Sequence, residues 1–379
     1  MTAKSFKNLF IQSLAAQGDK LHFSAHSHHL WPDCSQAAQI QYWNDSAALT
    51  DRKWGKILNE IIPAVQAHIA RALSLSDPAA IAFAPNTHEF VARLLSAMPE
   101  RPNILTTDSE FHSFDRQIKR LEEDGLISVN RIATDPLDTF HARFREAATG
   151  KYNMVFFSHV FFNSAYAIPD LTEIVAAVAD KETFIVIDGY HGFMALPTDL
   201  SAIQARVFYI AGGYKYAMSG EGCCFMHCPP GYGPRPRDTG WFADMGALES
   251  AQGTTIPYAA DGYRFWGATF DPSGLYRMKA VMDMLASENI SVTDIHAHVV
   301  SLQNYFLENL PERPGILVTP AHTSERGHFL TFNTPDAGIL YKTLTEKNIL
   351  TDHRSTRLRF GFGLYHDKGD VDLLLERMG

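Results

Sequence analysis

Cysteine is scarce in this chain, at four residues in 379. That excludes a disulfide-stapled scaffold, which needs a far denser supply. Long apolar runs are missing as well. Met154-Val155-Phe156-Phe157 and Phe184-Ile185-Val186-Ile187 fall far short of the ~20 residues a membrane helix requires. There is no excess of positive charge. Lysine plus arginine number 33 against 42 aspartates and glutamates, a net charge of −9. That argues against nucleic acid and against anionic membranes as partners. The opening stretch, MTAKSFKNLFIQSLAAQGDK, lacks both a signal-peptide apolar core and the arginines of a mitochondrial leader. A cytoplasmic location is therefore expected. What is present is an ordinary globular composition, 46% apolar and 20% charged. At roughly 150 residues per domain, the length implies two to three domains.

Two hydrophobic periods alternate through the middle of the chain. Short apolar runs at 81–84, 103–106, 126–132, 153–158, 184–188, 207–211 and 223–227 read as strands. Helical patterns at 114–123, 140–148 and 171–179 lie between them, the last opened by Pro169-Asp170. Alternation of this kind implies βαβ units and a mostly parallel, doubly wound α/β sheet. Near the start, Phe6, Leu9, Phe10 and Leu14 recur at helical spacing, as in an arm helix packed on the body. A glycine- and proline-rich loop follows Pro229, then a helix at 276–288. Beyond it, helices and strands at 294–310, 315–319, 327–333, 337–347, 357–362 and 368–377 suggest a smaller α+β unit. The expected division is an arm at 1–20, a large domain at 21–275 and a small C-terminal domain at 276–379.

Open parallel sheets bind ligands beyond the carboxyl ends of their strands, so the residues after each strand come first. One strand ends in Asp188-Gly189-Tyr190-His191, the next in Gly212-Gly213-Tyr214-Lys215-Tyr216. A lysine and a carboxylate facing one crevice suit an aldehyde cofactor with a basic ring nitrogen. The lysine bonds the aldehyde, and the carboxylate keeps the ring protonated. The alternative is an ion pair in a loop. Asn86 and Thr87 follow Ala84 and open a helix, where exposed amides suit a phosphate. Simple capping is the other reading. Phe111 and His112 follow a third strand and place a ring over the crevice, and Asn163 belongs to a polar cluster after a fourth.

With these residues in place, the chain resembles the class V aminotransferase and kynureninase group of pyridoxal-phosphate enzymes, which have the fold type I architecture. The motifs are IAFAPNTHE (81–89), TTDSEFHSF (106–114), SHVFFNSA (158–165), VIDGYHG (186–192), GGYKY (212–216), GWF (240–242), RFWGATF (264–270) and RLRFGFGLYHD (357–367). The resemblance runs from about 21 to 378. It implies a three-layer large domain, a pyridoxal 5′-phosphate (PLP) cofactor, a small-molecule amino acid substrate and a homodimer with shared sites.

By residue, the resemblance implies the following roles. Lys215 is the Schiff-base lysine, Asp188 pairs with the pyridine nitrogen, and His191 approaches the phenolic oxygen. Asn86, Thr87, Tyr214 and Trp241 attend the phosphate, and Thr269 reaches the neighbouring subunit's phosphate. Phe111 or His112 stacks on the cofactor. Arg359 grips the substrate carboxylate. Two departures stand out. Gly212 occupies the position where the group often has serine or threonine, and Ala268-Thr269-Phe270 is a degenerate form of the shared-contact motif.

His26, His28 and His29 form a cluster in a segment expected to line the substrate entrance. His28 and His29 are candidate substrate contacts. A closed metal site needs four ligands, and no partner motif accompanies them, so no metal is expected. For the chemistry, the cysteines Cys34, Cys223, Cys224 and Cys228 all precede the region where desulfurases of this group carry a nucleophilic thiol. The expectation is an aminotransferase first, a kynureninase-type hydrolase second, with cysteine desulfuration set aside. A catalytically idle binding or regulatory protein on the same fold is the reading from another class.

Overall fold

The computed structural model describes residues 5–247 and 254–379. Seven strands form the central sheet: β1 (Ile81–Ala84), β2 (Asn103–Thr107), β3 (Ser128–Ile132), β4 (Met154–Ser158), β5 (Phe184–Asp188), β6 (Val207–Ala211) and β7 (Cys224–His227). Their spatial order is β1-β7-β6-β5-β4-β2-β3. The run from β3 to β6 is parallel, while β7 runs antiparallel to both neighbours. This is the mostly parallel α/β sheet expected from the alternating periods. β4 and β6 are buried at every position, which is why they read as unbroken apolar runs.

The antiparallel strand matters for the site. Ala84 pairs with Cys224, and Ala211 with Phe225. The first residues of β7 therefore lie at the rim where the parallel strands end. The reversal puts Cys224 beside the loops that follow β1 and β6.

Helix starts follow their capping chemistry. Asn86 caps Thr87–Ser96, its side chain accepting from the Glu89 amide at 3.0 Å. Asp170 caps Leu171–Ala177 in the same way. Ser291 with Asp294, and Asp367 with Asp370, form capping boxes at Val292–Asn309 and Lys368–Met378. Asp33–Leu49 and the stretch from Lys53 to Ala72 are also helical. The first of these has no continuous apolar stripe, and its Ile40 and Trp43 are exposed, so the period that marks a packed helix is faint there.

Two cores result. The larger surrounds the seven-stranded sheet and includes Phe114 stacked on Phe156. It also takes in Leu275, Met278, Val281 and Leu285 of the helix Ser273–Ser287. The smaller core contains Val299, Leu302 and Phe306 together with an antiparallel sheet. That sheet comprises β8 (Ile316–Leu317), β9 (Phe329–Asn333), β10 (Asp352–Arg354) and β11 (Arg357–Gly361), in the order β10-β11-β9-β8. Leu21 and Phe23 join this smaller core, and Leu21–His22 pairs with Ile349–Leu350. The N-terminal strand thereby ties the histidine segment to the C-terminal sheet. No helix among the described residues is long and apolar enough to cross a membrane.

Candidate active site

Lys215 leaves the end of β6 and is buried. Its Nζ lies 3.3 Å from His191 Nδ1. Three rings surround the amine, with Tyr190 at 4.8 Å, Phe111 at 5.1 Å and Tyr214 at 5.7 Å to their centroids. Burial lowers the Lys215 amine from 10.5 to about 7; Asp188 opposes the shift and Arg359 adds to it. Asp188 ends β5, and its Oδ1 accepts the Tyr190 amide at 2.9 Å. Burial raises this carboxyl, against the Tyr190 amide and the Lys215 charge. Gly189 is required beside it, since a Cβ there would fall 2.0 Å from the Tyr209 ring. Of the two candidates for the stacking ring, Phe111 faces Lys215. His112 is exposed and packs edge-on against Phe162.

His191 is buried, and burial together with Lys215 depresses its protonation. Its ring donates to the His26 carbonyl, while Nδ1 faces Lys215. A neutral ring with its N–H on the other nitrogen would let Nδ1 accept from the Lys215 amine.

Arg359 lies on β11 opposite Asp352 of β10. Its Nη2 pairs with Asp352 Oδ2 and its Nη1 donates to the Phe162 carbonyl. Its Nε is buried with no partner. Although burial raises the Asp352 carboxyl, the neighbouring His26 ring and the charge of Arg359 hold it below the carboxylate range. Phe329 forms a floor between these groups. His26 stacks on it at 4.7 Å, His191 lies 5.6 Å away and the Arg359 guanidinium 5.9 Å.

His26, named from sequence only as part of the entrance-lining cluster with His28 and His29, is the member of that cluster that reaches Arg359 and Asp352. It is buried, 3.7 Å from Asp352 Oδ2, and neither ring nitrogen has a hydrogen bond. Burial, then Arg359, lower it to about 3, so it is neutral and carries one N–H. The pairing of Gly361 with Ser24 places it there, a long-range contact with no local sequence signal. Sequence reasoning passed over Glu110. It is buried and accepts from Ser158 Oγ at 2.6 Å, from the Ser158 amide at 3.2 Å and from Thr107 Oγ1 at 2.7 Å. Burial pushes its carboxyl up to about 8. It ties the end of β2 to the end of β4.

Several expected residues lie around this cluster rather than in it. His28 is exposed, stacks on Tyr214 at 5.1 Å and faces Glu221 at 3.5 Å. His29 is buried, with Nδ1 on the Leu30 carbonyl and Nε2 accepting from the Leu364 amide. The Asn86 side chain is engaged in capping, as described. The Thr87 amide is directed at Cys224. Asn163 donates to Ser109 Oγ at 3.0 Å. Trp241 donates to Thr269 Oγ1 at 3.0 Å, and both are exposed. No group of three or more metal-binding side chains converges among the described residues.

A buried lysine and an acidic residue on adjacent strand ends, in an α/β sheet with an antiparallel C-terminal unit, define a PLP enzyme of fold type I. The chain belongs to the aminotransferase class-V family, whose sequence profile matches residues 23–374. It is similar to a cysteine desulfurase from Thermococcus onnurineus NA1, with a TM-score of 0.80 and 17% identity over 100% of this chain and 98% of the other. It is similar to the cystine C–S lyase C-DES in complex with its product cysteine persulfide, with a TM-score of 0.79 and 16% identity over 96% and 98% of the two chains. It is also similar to the cysteine desulfurase CsdA from Escherichia coli, with a TM-score of 0.78 and 16% identity over 98% and 96%. No curated protein matches by sequence.

These structures correct the expected enzyme assignment, an aminotransferase first with desulfuration set aside. The similar structures are two cysteine desulfurases, whose chemistry had been set aside, and a cystine C–S lyase. The position of one thiol is a poor guide because the fold, the lysine and the aspartate precede any thiol step. In an elimination, moreover, sulfur departs with its own electron pair and needs no enzyme thiol.

Proposed function

We propose that this protein is a PLP-dependent enzyme that cleaves the carbon–sulfur bond of a cysteine- or cystine-type amino acid. The observation that carries the reading is the buried Lys215 amine beside His191, clustered with Asp188 and with the partner-poor donors of Arg359 and His26. The sulfur substrate class is supported by the structures it resembles, two desulfurases and a cystine lyase.

The residues fit the cofactor. Asp188 would hold a protonated ring nitrogen, Phe111 would cover the ring, and the helix start at Thr87 would meet the phosphate. PLP, when bound, draws electrons from the amino acid's α-carbon. Lys215, near neutrality in its charge, can take the α-proton on Nζ and return it. His191 Nδ1 orients that amine. Arg359 Nε and the His26 N–H lack acceptors, and a substrate carboxylate would supply them. Because Asp352 already neutralises Arg359, the grip on that carboxylate depends on such hydrogen bonds as well as on charge.

The test supplies the cofactor-loaded protein with cysteine and with cystine, and measures sulfide or persulfide alongside pyruvate and alanine. Pyruvate with sulfide or persulfide identifies elimination. Alanine with persulfide identifies desulfuration. Either supports carbon–sulfur cleavage, and the absence of released sulfur from both substrates overturns it.

A further inference from the structure

Gly212 stands three residues before Lys215, where the resembled group often carries a hydroxyl. The structure shows why no side chain fits there. A Cβ on Gly212 would fall 2.3 Å from Tyr190 Oη and 2.4 Å from Cys224 Sγ. The space that a serine or threonine would fill from β6 is taken by the Tyr190 hydroxyl, arriving from the end of β5.

The surroundings of that hydroxyl point to an anion. Tyr190 is buried, and its Oη meets Cys224 Sγ at 3.4 Å. The backbone amide of Thr87, in the first turn of Thr87–Ser96, is directed at the same sulfur. The half-buried Thr87 amide and the buried Tyr190 hydroxyl thus converge on one thiol, which is a weak acceptor. Burial pushes the Cys224 thiol up to about 12, so it offers no thiolate charge. Burial also holds Tyr190 well above 10, so it keeps its proton and can donate. An oxygen anion at this point would give both donors a strong acceptor at a helix N-terminus.

We propose that Tyr190 supplies the cofactor-phosphate hydroxyl that Gly212 lacks, through a side-chain exchange between neighbouring strands. The inference rests on the PLP assignment and adds a residue to it. It also accounts for the pair together: a bulky residue at 190 requires glycine at 212, and glycine at 212 leaves a hydroxyl to be provided from elsewhere.

The test compares apo-protein affinity for PLP and for pyridoxal, which lacks the phosphate, by equilibrium binding. Tyr190→Phe removes one oxygen and leaves the ring in place. The expected result is a PLP affinity lower by about 10-fold to 100-fold, the range for a hydrogen bond to a charged group. Pyridoxal affinity should stay within about twofold. Equal loss for both ligands, or no loss for PLP, overturns the assignment. Should Tyr190→Phe fail to fold, Tyr190→Ala and the double variant Tyr190→Ala/Gly212→Ser decide in its place. The serine should restore the preference for PLP over pyridoxal that Tyr190→Ala lacks, and a double variant no better than Tyr190→Ala overturns the exchange. Unaltered protein that binds neither ligand would instead overturn the PLP assignment on which the proposal rests.

Discussion

Lys215 gives the sharpest quantitative expectation. Its amine is buried, and burial moves it from an ordinary 10.5 to about 7. That corresponds to about 5 kcal/mol less preference for the charged form. At pH 7 about half of the Lys215 amines are neutral, against about one in 3,000 for an exposed lysine. Only the neutral amine attacks an aldehyde. Bond formation between the apo-protein and PLP should therefore gain its full rate slightly above neutrality. The assay mixes apo-protein with limiting PLP across neutral to alkaline pH and follows the visible band. Nα-acetyl-lysine, whose ε-amine is free, supplies the exposed reference under the same conditions. The protein's rate profile should have its midpoint near 7, about three pH units below the reference. Asp188 supplies the second arm. Its charge opposes the downward shift, so Asp188→Asn should move the midpoint lower still. A midpoint near 10, or an upward move in Asp188→Asn, would refute the burial argument.

Three further outcomes follow from the same contacts. Asp188→Asn should cut turnover by at least about 10²-fold to 10³-fold, the scale for losing one preorganised electrostatic partner. PLP should still bind, and the check is steady-state kinetics beside a binding titration. Phe156→Ala, which removes a ring stacked on Phe114 under the sheet, should destabilise the fold by about 3–5 kcal/mol in urea unfolding. Acid should act through buried neutral histidines. Burial depresses His22 and His159 to about 4 and His29 to about 3. Above pH 6.5 both folded and unfolded states are neutral at these sites and stability is full. Below it the unfolded chain gains protons that the fold refuses, so stability falls from pH 6.5 towards about 4. Each such histidine should take away about 2 kcal/mol by pH 5, and a urea midpoint that stays flat over that interval would count against their burial.

Much of the sheet was legible because strands buried on both faces read as unbroken apolar runs, such as Met154–Ser158 and Val207–Ala211. The rule that ligands meet strand ends picked out Asp188 and Lys215 as candidates, and the structure brings the two within electrostatic reach of each other. The same rule missed Cys224, because it assumes parallel strands and the last strand is reversed, bringing its first residue to the rim. The contact of His26 with Asp352 was illegible for another reason. It depends on the Leu21–His22 segment pairing with a strand more than 300 residues away, and no local pattern encodes that. The Tyr190–Gly212 exchange was half visible. The sequence shows a missing hydroxyl at 212, and only packing shows which side chain occupies the gap. The desulfurase correction has the same origin. Counting thiols along the chain weighs one late step, while the fold and the lysine site record the chemistry shared before it.

The central claim is that Lys215 carries the cofactor. Borohydride reduction of the PLP-loaded protein, followed by peptide mass mapping, tests it most directly. The expected result is one reduced pyridoxyl adduct per chain, on the peptide containing Lys215, with no adduct in Lys215→Ala. An adduct on another lysine, or none in a protein that binds PLP, would contradict it.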